Sequence, residues 1–400
     1  MINGGPPIAG RDLLEMYNLK FSDVNFVRVE HRNLDELLTK YKNLFEPGLG
    51  KFTKGTASIK LKDNVTPHFI KYRPVPYAIK EKVEIELNRL LSLGVIEPVD
   101  FSDWATPVVP VLKKGGQEVR LCGDYKVTIN PCIEVDKYPL PRIENLLGAL
   151  GGGKKFSKLD LSQAYQQICV DDESKELLTI STHKGLFRYN RLTYGVASAP
   201  AKFQKIMESL LSGIEGVEIF LDDILVTGPN DEKHLSRLEK VLRILSEAGF
   251  RLYIEKCEFF KEQIEYLGYV IDAEGLHACQ SKTIAIQNIV RPKNVSELKS
   301  ALGLINYYGK FVNNLATIIA PLYSLLQKNT KWVWSEHCER AFEEIKRLVQ
   351  SPEVLVPFNP ELPLKLTVDA SSVGIGAILS HEFPSGIEKP IAYASRSLSV

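Results

Sequence analysis

The sequence predicts a chain of the α+β class, on three observations. Two pairs of apolar, strand-like runs flank short turns, one pair between 108 and 122 and one between 217 and 226, as β-hairpins do. Apolar residues recur at helical spacing over 78–93, 201–211 and 231–248. From 273 to 350 the pattern is mostly helical, and after Pro352 it returns to strands.

The elements follow in order. Residues 1–34 show few apolar periodicities, and Gly4-Gly-Pro-Pro7 followed by Gly10-Arg11-Asp12 reads as a turn entering a short helix. In the helix at 78–93, Val83, Leu87, Leu90 and Leu91 share a face, and Gly94 supplies the stop. Residues 108–111 and 119–122 are strands around the loop Lys113-Lys-Gly-Gly116. The helix at 201–211 turns Phe203, Ile206, Met207 and Leu210 to one side. The helix at 231–248 is capped by Asn230, buries Leu235, Leu238, Val241, Leu242 and Leu245, and stops at Gly249. Ser296 and Ser335 are the expected caps within 273–350, and strands follow at Leu364-Lys-Leu-Thr-Val-Asp369 and Gly374-Ile-Gly-Ala-Ile-Leu379.

A chain of 400 residues is too long for one simple core, so two to three domains are expected. No apolar run reaches the length of a membrane-spanning helix, and the first residues lack the basic-then-apolar start of a signal peptide, so no membrane partner is expected. Cys122, Cys132, Cys169, Cys257, Cys279 and Cys338 are scattered, without zinc-ligand spacing, and read as free thiols. A net charge of +1 gives no general argument for nucleic-acid binding. Any basic surface must be local, as at Lys51/Lys54, Lys60/Lys62, Lys71/Arg73, Lys113/Lys114 and Lys154/Lys155, where the bland reading is a solvated face.

Chemistry enters at Asp222 and Asp223, set between the apolar runs of Val217-Glu-Ile-Phe-Leu-Asp-Asp-Ile-Leu-Val226. Two like charges at a hairpin tip repel, and partly buried carboxylates are costly unless paired or bound to a cation. A solvated Asp-Asp turn is the alternative. In Phe156-Ser-Lys-Leu-Asp-Leu161, alternation puts Asp160 on the strand face opposite Leu159 and Leu161, where it could meet that tip. Three carboxylates from two strands could hold two divalent ions, as in nucleotidyl transfer.

Lys158-Leu-Asp-Leu-Ser-Gln-Ala-Tyr165, Leu192-Thr-Tyr-Gly-Val-Ala-Ser-Ala-Pro-Ala-Lys-Phe-Gln204 and Phe220-Leu-Asp-Asp223 together resemble, in order and spacing, the motifs of a reverse transcriptase of a gypsy-type long-terminal-repeat retrotransposon Pol polyprotein. The resemblance implies a right-hand polymerase with fingers, palm and thumb and the start of a ribonuclease H-like domain. It assigns 1–34 to the tail of a retropepsin-like protease and linker, 35–130 mainly to fingers, 131–272 to palm with an interleaved fingers segment, 273–350 to thumb and 351–400 to the N-terminal part of the ribonuclease H-like domain. No Asp-Thr-Gly or Asp-Ser-Gly triplet is present, so no protease activity is expected.

The implied activity is RNA-directed DNA polymerisation, with an RNA or DNA template, a primer and deoxynucleoside triphosphates as partners. Asp160, Asp222 and Asp223 become catalytic metal ligands; oxygen-only donors suit Mg2+, with Mn2+ as substitute. Lys113 and Arg120 would grip the triphosphate, Tyr165 would exclude a ribose 2′-hydroxyl, Tyr194 would line the nucleotide pocket, and Leu267 and Gly268 would form the primer grip. Phe220 stands where the family usually has Tyr, and Lys126 where it more often has Arg. Gly148-Ala-Leu-Gly-Gly-Gly-Lys-Lys155 is a near miss to a phosphate-binding P-loop and reads as a turn. Asp369 matches the first ribonuclease H carboxylate, and one carboxylate cannot hold two metals, so no cleavage of an RNA strand is expected. A cytoplasmic location is implied by the family alone. The alternative is a catalytically silent nucleic-acid-binding retroelement remnant.

Overall fold

The structure is a computed structural model and describes residues 28–113, 115–141, 146, 148, 150–350, 354–372 and 374–398. The turn expected at Gly4–Asp12, Lys114 of the basic loop and Ala149 of the glycine-rich turn lie outside the described residues.

Helix α1 (Arg28–Lys40) precedes α2 (Tyr77–Ser92), which buries Val83, Leu87 and Leu90 as expected and ends at Gly94, where φ is +62°. Strands β1 (Ile96–Val99), β2 (Thr106–Leu112), β3 (Val119–Gly123) and β4 (Lys155–Asp160) follow, then a short helix α3 (Asp172–Leu177) and strands β5 (Thr179–Thr182) and β6 (Gly185–Tyr189). Five of these strands form one sheet in the order β1-β6-β5-β2-β3, with β2 and β3 as the expected antiparallel hairpin. Strands β1, β5 and β6 were not foreseen. All four residues of β5 are buried, so it has no period-two pattern to read.

Helix α4 (Ala199–Leu211) starts two residues earlier than expected because Pro200 sits in its first turn, where a missing N–H costs nothing. Strands β7 (Val217–Phe220) and β8 (Asp223–Gly228), helix α5 (Asp231–Glu247) and strand β9 (Glu258–Lys261) complete a second sheet, β7-β8-β4-β9, all antiparallel. Asn230 caps α5 by accepting the N–H of Lys233. Alternation sorts this sheet into two faces. Leu159, Ile224 and Val226 join Phe203, Met207, Leu238 and Val241 of α4 and α5 in the first core, whereas Phe156 and Leu225 join a second core. A Cβ on Gly228 would stand 2.6 Å from the His234 backbone, so only glycine lets β8 pass this close to α5.

The second core is built from β10 (Ile264–Tyr266), β11 (Tyr269–Ile271) and β12 (Leu276–Ala278), packed with α6 (Gln280–Gln287), α7 (Val295–Tyr307), α8 (Leu315–Ser324) and α9 (Glu336–Gln350). Ser335 caps α9, its Oγ accepting the N–H of Cys338 at 3.3 Å. Ser296 does not cap α7. Asn294 does, accepting the N–H of Glu297 at 2.9 Å, while the Glu297 carboxylate accepts the N–H of Lys293. That reciprocal pair satisfies more orphan donors than a serine two residues further in could.

The last described sheet is antiparallel: β13 (Leu364–Ala370), β14 (Gly374–Glu382) and a third strand, β15 (Glu388–Ser397), that was not foreseen. One face packs on α8. On the other, Leu364, Leu366 and Val368 are 52%, 65% and 70% exposed. The six cysteines are free thiols, and no helix among the described residues is long and apolar enough to cross a membrane.

Candidate active site

The aspartate pair does sit at a hairpin tip. Phe220 pairs with Asp223 across β7 and β8, and Asp223 pairs in turn with Asp160 across β8 and β4, so aspartates of two strands are register neighbours. Leu221 turns the corner at φ +53°, a left-handed conformation that costs a non-glycine residue about 1–2 kcal/mol. Its N–H donates to Gln204 Oε1 at 2.7 Å, and Gln204 Nε2 donates to the Ile219 carbonyl at 2.9 Å. Gln204 is fully buried on α4. These two bonds offset the strain and fix where Asp222 points.

Asp160 and Asp222 open onto a cleft of about 710 Å³ that Lys113, Arg120 and Tyr194 also line. Five of the expected residues therefore share one cavity. Arg120 Cζ lies 5.0 Å from the Tyr194 ring centroid, Tyr194 meets Tyr165 edge-on at 4.9 Å, and Tyr165 meets Phe203 edge-on at 5.1 Å. Tyr165, 8% exposed, thus lies directly behind Tyr194. Lys113 Nζ is 2.7 Å from Glu118 Oε2 across the β2–β3 loop.

Burial pushes the Asp222 carboxyl up to about 6, and the charges of Asp223 and Asp160 add to the rise, while Arg120 and Lys256 oppose it. Burial also raises Asp223, with Asp160 adding and Lys158 opposing. Asp222 Oδ1 is buried without a hydrogen-bond partner. An orphaned carboxylate oxygen among like charges, with oxygen donors only, fits a hard divalent cation. Among the described residues, no three His, Cys, Asp or Glu side chains converge to metal-ligand distances. Lys256 Nζ lies 3.5 Å from Asp160 Oδ1, a cation beside the carboxylates.

Lys256 and Gln204 were missed as site residues. Gln204 lay inside a quoted motif, but only its partners reveal a role. Lys256 is a lone cation far along the chain from Asp160, with no local signal.

The other expected positions separate. Leu267 and Gly268 form the β10–β11 turn, with φ of +49° and +77°. Asp369 lies on β13 in the last sheet, accepting a hydrogen bond from Asn314 Nδ2 at 3.1 Å. A second cavity there has Asp369 as its lone carboxylate among the described residues. Lys126 lies in a short 3₁₀ turn, and neighbouring Asp124 is engaged by Arg73 at 2.5 Å. Lys155 of the near-miss P-loop opens strand β4, and no helix N-terminus follows to face a phosphate.

Residues 112–271 match the family model for reverse transcriptase (RNA-dependent DNA polymerase), and residues 334–400 match that for the RNase H-like domain found in reverse transcriptase. The chain is 34% identical over 385 residues to the retrovirus-related Pol polyprotein from transposon opus of Drosophila melanogaster, a match covering 92% of this chain and 38% of that one. A foamy viral protease-reverse transcriptase solved with double-stranded DNA superposes with a TM-score of 0.85 at 28% identity, over 92% of this chain and 65% of that one. The same viral protein with an RNA/DNA hybrid gives 0.81 at 28% identity, over 92% of this chain and 50% of that one. The chain spans 24–38% of the length of the curated relatives it matches.

Proposed function

We propose that this chain, which has the fold of a reverse transcriptase and carries that family's polymerase domain at residues 112–271, adds deoxynucleotides to a primer 3′ end as directed by an RNA or DNA template. The observation that carries the reading is the cross-strand pairing of Asp160 with Asp223 beside the orphaned Asp222 oxygen, in one cleft with Lys113 and Arg120. Asp160, Asp222 and Asp223 would hold divalent cations, Mg2+ by preference and Mn2+ as substitute, which when bound supply activation of the primer hydroxyl and neutralisation of the phosphoryl charge.

The chain's own residues do the positioning. Arg120 can clamp phosphate oxygens through its planar fork and Lys113 acts as a point charge. An exposed pair such as Lys113–Glu118 is worth at most about 1 kcal/mol, so an incoming triphosphate can displace Glu118. Tyr194 walls the cleft, and Tyr165 behind it limits room at the sugar. The turn at Leu267 and Gly268 presents backbone, with no long side chain at Gly268, to a primer terminus.

In this reading residues 35–130 are mainly fingers, 131–272 palm with an interleaved fingers segment, 273–350 thumb and 351–400 part of the ribonuclease H-like domain, to which Asp369 belongs. The transposon Pol relatives favour a gypsy-type element as the source. The duplexes bound by the foamy viral protein support hybrid and double-stranded DNA as partners here.

The test is extension of a DNA primer on an RNA template with Mg2+ and all four deoxynucleotides, beside the Asp222→Asn/Asp223→Asn double variant. Extension by the parent alone is expected. A parent that binds the hybrid in a salt-sensitive way yet never extends it would favour a silent remnant.

A further inference from the structure

The turn between β10 and β11 is held from outside. Tyr307 Oη donates to the Leu267 carbonyl at 2.6 Å, and Tyr308 Oη donates to the Gly268 carbonyl at 2.8 Å. Both carbonyls of the two left-handed turn residues are therefore capped by phenols of consecutive tyrosines. Adjacent residues within a helix point about 100° apart and cannot both face one turn. Here they can, because α7 ends at Tyr307 and Tyr308 leaves it at φ −97°, ψ 4°. The Tyr307 ring also stacks on the ring of Tyr269, the first residue after the turn, at 5.3 Å and 12°, and Lys310 Nζ lies 3.9 Å from the Tyr269 ring centroid.

Leu267 has no conformational reason to stay at φ +49° unaided. A Cβ at Gly268 would sit 3.4 Å from Tyr307 Oη and 3.6 Å from Tyr308 Oη, so the hydroxyls pack directly on the turn.

We propose that Tyr307 and Tyr308 are positioning residues for the primer 3′ end, which set the Leu267–Gly268 backbone and make helix α7 and the hairpin one mechanical unit. The inference rests on the polymerase function proposed above. Loss of the hydroxyls leaves the rings packed but lets the turn relax. A misplacement of about 1 Å at a reacting end costs up to about 100-fold in rate.

The experiment is single-turnover extension on a primed RNA template by the parent chain, Tyr307→Phe, Tyr308→Phe, the double variant and Tyr323→Phe, with melting temperatures measured alongside. Tyr323 is the control: its hydroxyl accepts from Asn306, away from the turn. The double variant should lose about 10- to 100-fold in the maximal extension rate while the apparent deoxynucleotide affinity stays within twofold, with Tyr323→Phe unchanged. A purely structural pair would lower the melting temperature and leave the rate per folded molecule intact. If burial makes Tyr308→Phe unfold, the half-exposed Tyr307→Phe alone must still show the rate loss. A double variant that extends at the parent rate overturns the inference while leaving the polymerase reading in place. A parent that does not extend overturns both.

Discussion

Two carboxylate regions of this molecule differ in company rather than in strand geometry. Asp160 and Asp369 both lie on antiparallel strands, but Asp160 pairs with Asp223 beside Asp222, whereas Asp369 pairs with Gly376 and accepts a hydrogen bond from Asn314. Crowding and burial raise Asp222 and leave one oxygen orphaned, which is stored repulsion that a cation relieves. Asp369 is the one carboxylate that lines its cavity among the described residues. A carboxylate on a strand is thus not a site until others are forced against it.

The largest expected effect separates the two. Asp222→Asn should reduce primer extension by at least about 1,000-fold while raising the melting temperature in chelator by about 2 °C, because a like charge is removed. Asp369→Asn should leave extension within about twofold; equal losses at both positions would erase the distinction.

A smaller effect tests the tyrosine behind the cleft. Tyr165→Val should raise ribonucleotide incorporation relative to deoxynucleotide by about 10- to 100-fold, since losing the ring packed behind Tyr194 lets Tyr194 retreat and leaves room for the added 2′-hydroxyl. Unchanged sugar selectivity in paired single-nucleotide assays would remove Tyr165 from the site.

The smallest effect concerns the histidines buried under each sheet. His381 uses both ring nitrogens, on the Asn359 N–H and the Pro363 carbonyl, whereas His234 binds Ser157 Oγ at 2.8 Å and leaves Nδ1 unpartnered. Burial pushes His234 down to about 4. The unfolded chain takes up that proton near pH 6.5, so the stability from neutral His234 is complete above about 6.5 and is lost as pH falls toward about 4, by up to about 3 kcal/mol. Melting temperatures from pH 7 to 5 should fall less steeply for His234→Gln than for the parent; parallel curves would show that His234 does not govern this window.

The aspartate hairpin was legible because two polar residues interrupt a long apolar alternation, and the α5 helix because cap, stripe and stop agree. The β5 strand was illegible because tertiary packing buries both its faces. Strand β15 was hidden by Pro390, which the sheet tolerates at an edge where the register slips between Leu379 and Ser380. At α7 the expected cap, Ser296, gave way to Asn294, because the reciprocal Glu297 contact forms only once the turn is folded. The role of Gln204 depends on a turn seventeen residues away, which no local pattern encodes.

The open face formed by Leu364, Leu366 and Val368 gives the molecule a divided response to dissolved salt. Sulfate strengthens apolar contact, so it should drive chains together through that face. In the proposed function the same salt would weaken Lys113 and Arg120 against phosphate. Conditions that best load the cleft are therefore those that best keep the chains apart, and purification at high ionic strength works against both.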